Sequence, residues 1–126
     1  MRFAATTAYP ADVETVAAML ASRDFVERKL AAAGALGTTC EVVRDGAAFT
    51  VTTRAEMPTT AVPTALRSLT GDALEVRLVE AWQAPADDGS RTSTMSVDIP
   101  GVPVRIAGTQ RLAPRLAGCE LTYDAR

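Results

Sequence analysis

The side chains of this chain that could do chemistry are the few polar ones that fall on otherwise apolar faces. From Leu74 to Trp82 the residues alternate, so Leu74, Val76, Leu78, Glu80 and Trp82 share one side of a strand. Glu80 is therefore a carboxylate among apolar neighbours, a setting that raises a carboxyl pKa and lets the group act as acid or base. The same alternation puts Ser93, Met95, Val97 and Ile99 on one side of the next segment, and Val104, Ile106, Gly108, Gln110 and Leu112 on one side of the segment after it. A last segment does the same for Cys119, Leu121, Tyr123 and Ala125. Gln110, Tyr123 and Arg91, which stands at a strand edge, are the polar groups that could accompany Glu80. The structural alternative has Glu80 reaching solvent or pairing with an arginine, with Tyr123 and Gln110 satisfying each other or the backbone. Trp82 serves equally as core or as a stacking surface for a ligand, and Met57 and Met95 are adaptable fillers.

Other chemistries are excluded by residue type. The chain has no histidine, so Ser-His-Asp and Cys-His catalysis and histidine-rich metal sites are impossible. The two cysteines, Cys40 and Cys119, are too far apart in sequence to chelate as a pair, and Asp87-Asp88 lacks the ligand spacing of a calcium loop. No P-loop or Gly-x-Gly-x-x-Gly motif occurs. No metal, cofactor or catalytic residue is therefore assigned. The formal net charge of -2 comes from scattered single charges, which gives no footprint for nucleic acid. No segment is long and apolar enough to span a membrane, and the first ten residues lack the apolar block of a signal peptide. Two cysteines in a chain of 126 residues that does not need stapling suit a reducing cytosol, so both thiols are expected to be free.

The elements that position these groups follow from periodicity. Residues 2 to 9 read as a strand closed by Pro10. Asp12 and Glu14 favour a helix start, and Val13, Val16, Ala17 and Leu20 recur at helical spacing to about Ala21. Asp24 as N-cap with Glu27 announces a second helix, and Gly34 stops it. From Thr38 the period is two, and Asp45-Gly46 predicts a two-residue hairpin with Arg44 facing Ala47, Val42 facing Phe49 and Cys40 facing Val51. Thr60, Val62, Leu66, Leu69 and Gly71 predict a short helix over 59–70. Strands follow, separated by loops at 86–90, 100–103 and 114–118, and Gly108 in mid-strand suggests a bulge or bend. Length allows one domain, 1–126.

Strand, two helices and a meander of six strands is similar to the START-like helix-grip (SRPBCC) superfamily across the whole chain. Within it, residues 2–10, Asp24-Phe25-Val26-Glu27-Arg28-Lys29-Leu30, Asp98-Ile99-Pro100-Gly101-Val102-Pro103-Val104 and Gly108-Thr109-Gln110 resemble an uncharacterised bacterial family. The resemblance implies an α+β fold with a curved seven-stranded antiparallel sheet and a cavity. It also implies a closing C-terminal helix, which this sequence lacks. In the helix-grip order the N-terminal strand stands between the strands of Cys40 and Cys119, which keeps the thiols two strand spacings apart.

The resulting expectation is a protein that binds a small apolar or amphipathic ligand between sheet and helices, on Phe49, Val51, Leu78, Glu80, Trp82, Met95, Val97, Gln110 and Tyr123. Two alternatives stay open. One is an enzyme of cyclase or hydratase type using Glu80 and Tyr123. The other is an interaction module that forms a homodimer through its concave face or through edges near residues 119 to 126, because an apolar sheet face without its closing helix needs a cover.

Overall fold

The computed structural model describes residues 2–58, 73–103 and 105–126. Strand β1 (Phe3–Tyr9) leads into helices α1 (Val13–Leu20) and α2 (Arg23–Ala32). Six strands follow: β2 (Gly37–Asp45), β3 (Ala48–Pro58), β4 (Ala73–Trp82), β5 (Arg91–Asp98), β6 (Arg105–Arg115) and β7 (Gly118–Ala125). They form one curled, open, antiparallel seven-stranded sheet in the order β1-β7-β6-β5-β4-β3-β2. Among the described residues none is helical after α2. The helix expected over 59–70 lies outside the described residues.

The helices begin where capping chemistry allows. Asp12 caps α1 by accepting from the Thr15 amide at 2.7 Å, and those Thr15 hydrogen bonds hold its carboxyl below the usual range. Pro10 lies outside the helix. Helix α2 is capped by Ser22, whose hydroxyl accepts from the Phe25 amide, so the expected Asp24 cap is displaced by two residues. Asp24 sits instead in the first turn, paired with Arg28.

The β2–β3 hairpin is shifted by two residues from expectation: Asp45 pairs Ala48, Arg44 pairs Phe49, Val42 pairs Val51 and Cys40 pairs Thr53. An Asp-Gly turn of the expected kind would require positive φ at Asp45, whereas among the described residues only glycines adopt it, Gly46 at φ 61° being one. The turn therefore uses Gly46-Ala47, with glycine at its first central position. A two-residue shift preserves the faces, so the apolar sides still coincide.

The last turn is also tighter than expected. Pro114 and Arg115 belong to β6 and pair with Cys119 and Gly118. The β5 ladder on the other side of β6 ends at the Arg91–Leu112 pair, so the missing N–H of Pro114 falls beyond it. Gly108 makes no bulge, since its ladders with β5 and β7 run without interruption. Its role is close approach: a Cβ there would collide with the Asp124 carbonyl and lie 2.5 Å from the Ala125 Cα.

Both cysteines are free and buried, and burial pushes both thiols up. The strand order differs from the one expected for them. β1 pairs β7, but β1 and β2 are the opposite edges of the sheet. β7 is an interior strand, so residues 119–126 offer no edge for dimerisation.

Candidate ligand-binding face

Cross-strand register places all nine expected ligand residues on one face, in three adjacent rows. The first row runs Phe49, Trp82, Ser93, Gln110, Tyr123. The second runs Val51, Glu80, Met95, Gly108, Ala125, and the third Thr53, Leu78, Val97, Ile106. Directly opposed residues share a face, so the alternation read from the sequence carries over strand by strand.

The helices divide this face. Val13, Val16, Ala17, Ala21 and Val26 pack with Cys40, Phe49, Val51, Trp82, Leu112 and Cys119 in one buried cluster. Phe49, Val51 and Trp82 are thus core residues, and Phe49 stacks with Trp82 at 6.3 Å between centroids. Leu78, Glu80, Met95, Val97 and Tyr123 lie outside that cluster and are half-buried. Gly108 adds no side chain to the second row, which leaves bare backbone between Met95 and Ala125.

Two polar arrangements stand on the face. Glu80 accepts a hydrogen bond from Gln110 Nε2 at 2.7 Å, reaching over β5. Gln110 is buried, so the pair satisfies a polar group that could not otherwise turn to water. Tyr123, the cross-strand neighbour of Gln110, makes no hydrogen bond to Glu80 among the described residues. Sequence reasoning had paired Gln110 with Tyr123 or backbone; the longer reach to Glu80 depends on strand order, which alternation does not reveal.

The second arrangement centres on Arg91, which is 7% exposed at its side chain. Its Nε and one terminal nitrogen donate to the two Glu14 oxygens at 2.9 and 2.7 Å. The other terminal nitrogen donates to the carbonyls of Ala47 and Gln83, and the guanidinium lies 5.7 Å from the Phe49 ring centroid. Arg91 thereby ties α1 to the β2–β3 turn and to Gln83, the residue after β4. Its hydrogen bonds hold the Glu14 carboxyl below the usual range and raise Arg91 itself. Sequence spacing named Arg91 but gave no sign of Glu14, 77 residues away.

Two depressions among the described residues, of about 640 and 520 Å³, are lined chiefly by outward-facing residues. The first includes Thr39, Arg54 and Glu75, the second Thr94, Thr109 and Asp124. Neither contains Glu80. Among the described residues no group of three His, Cys, Asp or Glu side chains could hold a metal ion, and no helix is long and apolar enough to cross a membrane.

The family model described as "Protein of unknown function (DUF2505)" matches residues 4–126. The chain belongs to this family. Among solved structures, this DUF2505 chain is similar to a STAR-related lipid transfer protein from Xanthomonas axonopodis, with a TM-score of 0.66 and 14% identity over 99% of this chain and 67% of that one. It is also similar to protein CV1439 from Chromobacterium violaceum, with a TM-score of 0.52 and 16% identity over 99% of this chain and 78% of that one. The fold of this family member is thus START-like. A comparison with curated proteins finds no match.

Proposed function

We propose that the chain binds a small apolar or amphipathic molecule on the inner sheet face, beyond the part that α1 and α2 pack. The observation that carries this reading is the set of half-buried apolar side chains, Leu78, Met95 and Val97, gathered around the Glu80–Gln110 hydrogen bond outside the core cluster. Apolar walls with one fixed polar pair are the composition of a ligand site. Of the nine expected residues, Phe49, Val51 and Trp82 support the site from within the core, and the other six line it. The likeness to a protein titled as a lipid transfer protein supports the reading at the level of fold.

Native mass spectrometry of the protein purified from its source tests this directly. The expected result is a copurified apolar mass released on denaturation. Protein without bound mass that also takes up no apolar probe in titration calorimetry would overturn it. The cyclase- or hydratase-type alternative needs Glu80 and Tyr123 at one reacting atom, and the position of Gln110 beside both favours binding over turnover.

A homodimer is a second reading, favoured by the two sheet edges. Among the described residues β1 and β2 have strand partners on one side only, and Phe3 on β1 and Val43 on β2 are exposed apolar side chains. Concentration-dependent sedimentation supports it, and a monomer at all concentrations overturns it. The two free cysteines support a reducing compartment for either form.

A further inference from the structure

The free edge at β1 is self-complementary. Among the described residues β1 has one neighbour, β7, and its ladder with that strand runs without interruption from Phe3 to Tyr9. The strand Phe3-Ala4-Ala5-Thr6-Thr7-Ala8-Tyr9 carries no charge, proline or glycine, so it lacks the devices that keep edges from pairing. The edge at β2 has charges in Glu41, Arg44 and Asp45. Arg2, next to the β1 ladder, donates to Asp124 on β7, so an approaching second β1 meets no unpaired like charge there.

The free backbone groups of β1 follow from the neighbouring ladder. Arg126 and Ala107 of β6 exchange both backbone hydrogen bonds, and bonding alternates along an antiparallel strand. Asp124, Thr122 and Glu120 therefore bond to β6, and the residues between them bond to β1. Their partners Phe3, Ala5, Thr7 and Tyr9 use their N–H and C=O groups on β7. Those of Ala4, Thr6 and Ala8 point to the open edge. A second β1 laid antiparallel about a two-fold axis at Thr6 meets all of them, because Thr6 then pairs Thr6 and Ala4 pairs Ala8 in both directions. The same register sets Phe3 of each copy opposite Tyr9 of the other, on the inner face and at the closer, non-hydrogen-bonded spacing. Phe3 is 41% exposed, and this pairing covers it. Small residues in the middle of the strand and an aromatic at each end make it read nearly alike in both directions.

Resting on the homodimer reading above, we propose that β1 is the dimer edge and that its partner is β1 of a second copy, paired antiparallel about Thr6 so that the two sheets run into one. In that register the two Thr6 Cα atoms stand about 5.5 Å apart, inside the range of about 4.4 to 6.8 Å that a disulfide spans. The test combines sedimentation over a range of concentrations with mild oxidation of variants that add one cysteine. Thr6 and Val43 are both exposed, whereas the native Cys40 and Cys119 are buried. The expected result is a concentration-dependent dimer in the wild type, a covalent dimer from Thr6→Cys on oxidation, and none from the wild type or from Val43→Cys on the β2 edge. Thr6→Pro removes an N–H that the monomer leaves unpaired, a loss that edge strands tolerate, and is expected to raise the dimer Kd about tenfold or more. A wild-type dimer without the Thr6→Cys cross-link, a cross-link at Val43→Cys in its place, or a Thr6→Pro dimer as tight as wild type would overturn the β1 pairing and leave the homodimer reading standing. A monomer at all concentrations would overturn both. The cross-linking comparison decides the matter even if Thr6→Pro fails to fold.

Discussion

Removing the charge of Glu14 is expected to loosen the attachment of α1 to the sheet by a calculable amount. When one partner of a fully buried ion pair is removed the cost is about 3 to 5 kcal/mol, and for an exposed pair about 0 to 1 kcal/mol. Here the guanidinium of Arg91 is 7% exposed and the carboxylate of Glu14 is 58% exposed. Solvent screening of the carboxylate places Glu14→Gln between those limits, at about 1 to 2 kcal/mol. Arg91→Met is expected to cost more, about 3 to 4 kcal/mol, because it also strips the Ala47 and Gln83 carbonyls of their donor. Urea unfolding of both single variants and the double variant gives the coupling, expected at about 1 to 2 kcal/mol. The pH dependence has a definite sign. The Arg91 hydrogen bonds lower the folded-state pKa of Glu14, so its contribution is complete above the unfolded-state value of about 4.3 and is lost as pH falls through the lowered folded value. The stability gap between wild type and Glu14→Gln should therefore be flat near neutrality and shrink below about pH 4. A coupling under about 0.3 kcal/mol, or a gap that widens in acid, would refute the assignment of Arg91 as the tie.

Leu112→Ala, at a position 0% exposed, should cost about 3 to 5 kcal/mol in chemical denaturation, half-buried Leu78→Ala less, and exposed Thr94→Ala little; equal costs would contradict the faces. Gly108→Ala should destabilise by about 2 kcal/mol or more, since its Cβ meets backbone of β7 that cannot swing aside; an unchanged melting temperature would show that the strands can part there. Cys40 and Cys119, buried and with raised thiols, should resist a thiol reagent in native buffer and react on unfolding, and rapid native labelling would refute their burial.

The sheet was readable from sequence because alternation reports which side of a strand a residue takes, and that information survives errors in pairing. The Asp45-Gly46 expectation shows this: the turn moved by a residue and the register by two, yet Val42, Val51 and Phe49 kept their common face. The core was less readable. Leu78 and Leu112 alternate equally well, and only the seating of α1 and α2 buries the latter. Contacts that reach over a strand or join distant segments, such as Gln110 to Glu80 and Arg91 to Glu14, have no local signature. The cap of α2 was missed because Ser22 and Asp24 are both good caps, and the choice rests on where the chain leaves α1.

The pairing of the first strand with the last determines how the molecule bears load. Phe3 stands opposite Ala125 at one end of the β1–β7 ladder, and Arg2 bonds Asp124 beside it at 2.7 Å. A pull applied at Phe3 and Ala125 therefore acts on neighbouring points, along the direction of the interstrand hydrogen bonds. The ladder opens one bond after another from Phe3 toward Tyr9, like a zipper, and never resists as a block sheared along its length. Tension applied at these two residues is expected to release β1 at low force while the β2–β7 meander is still intact.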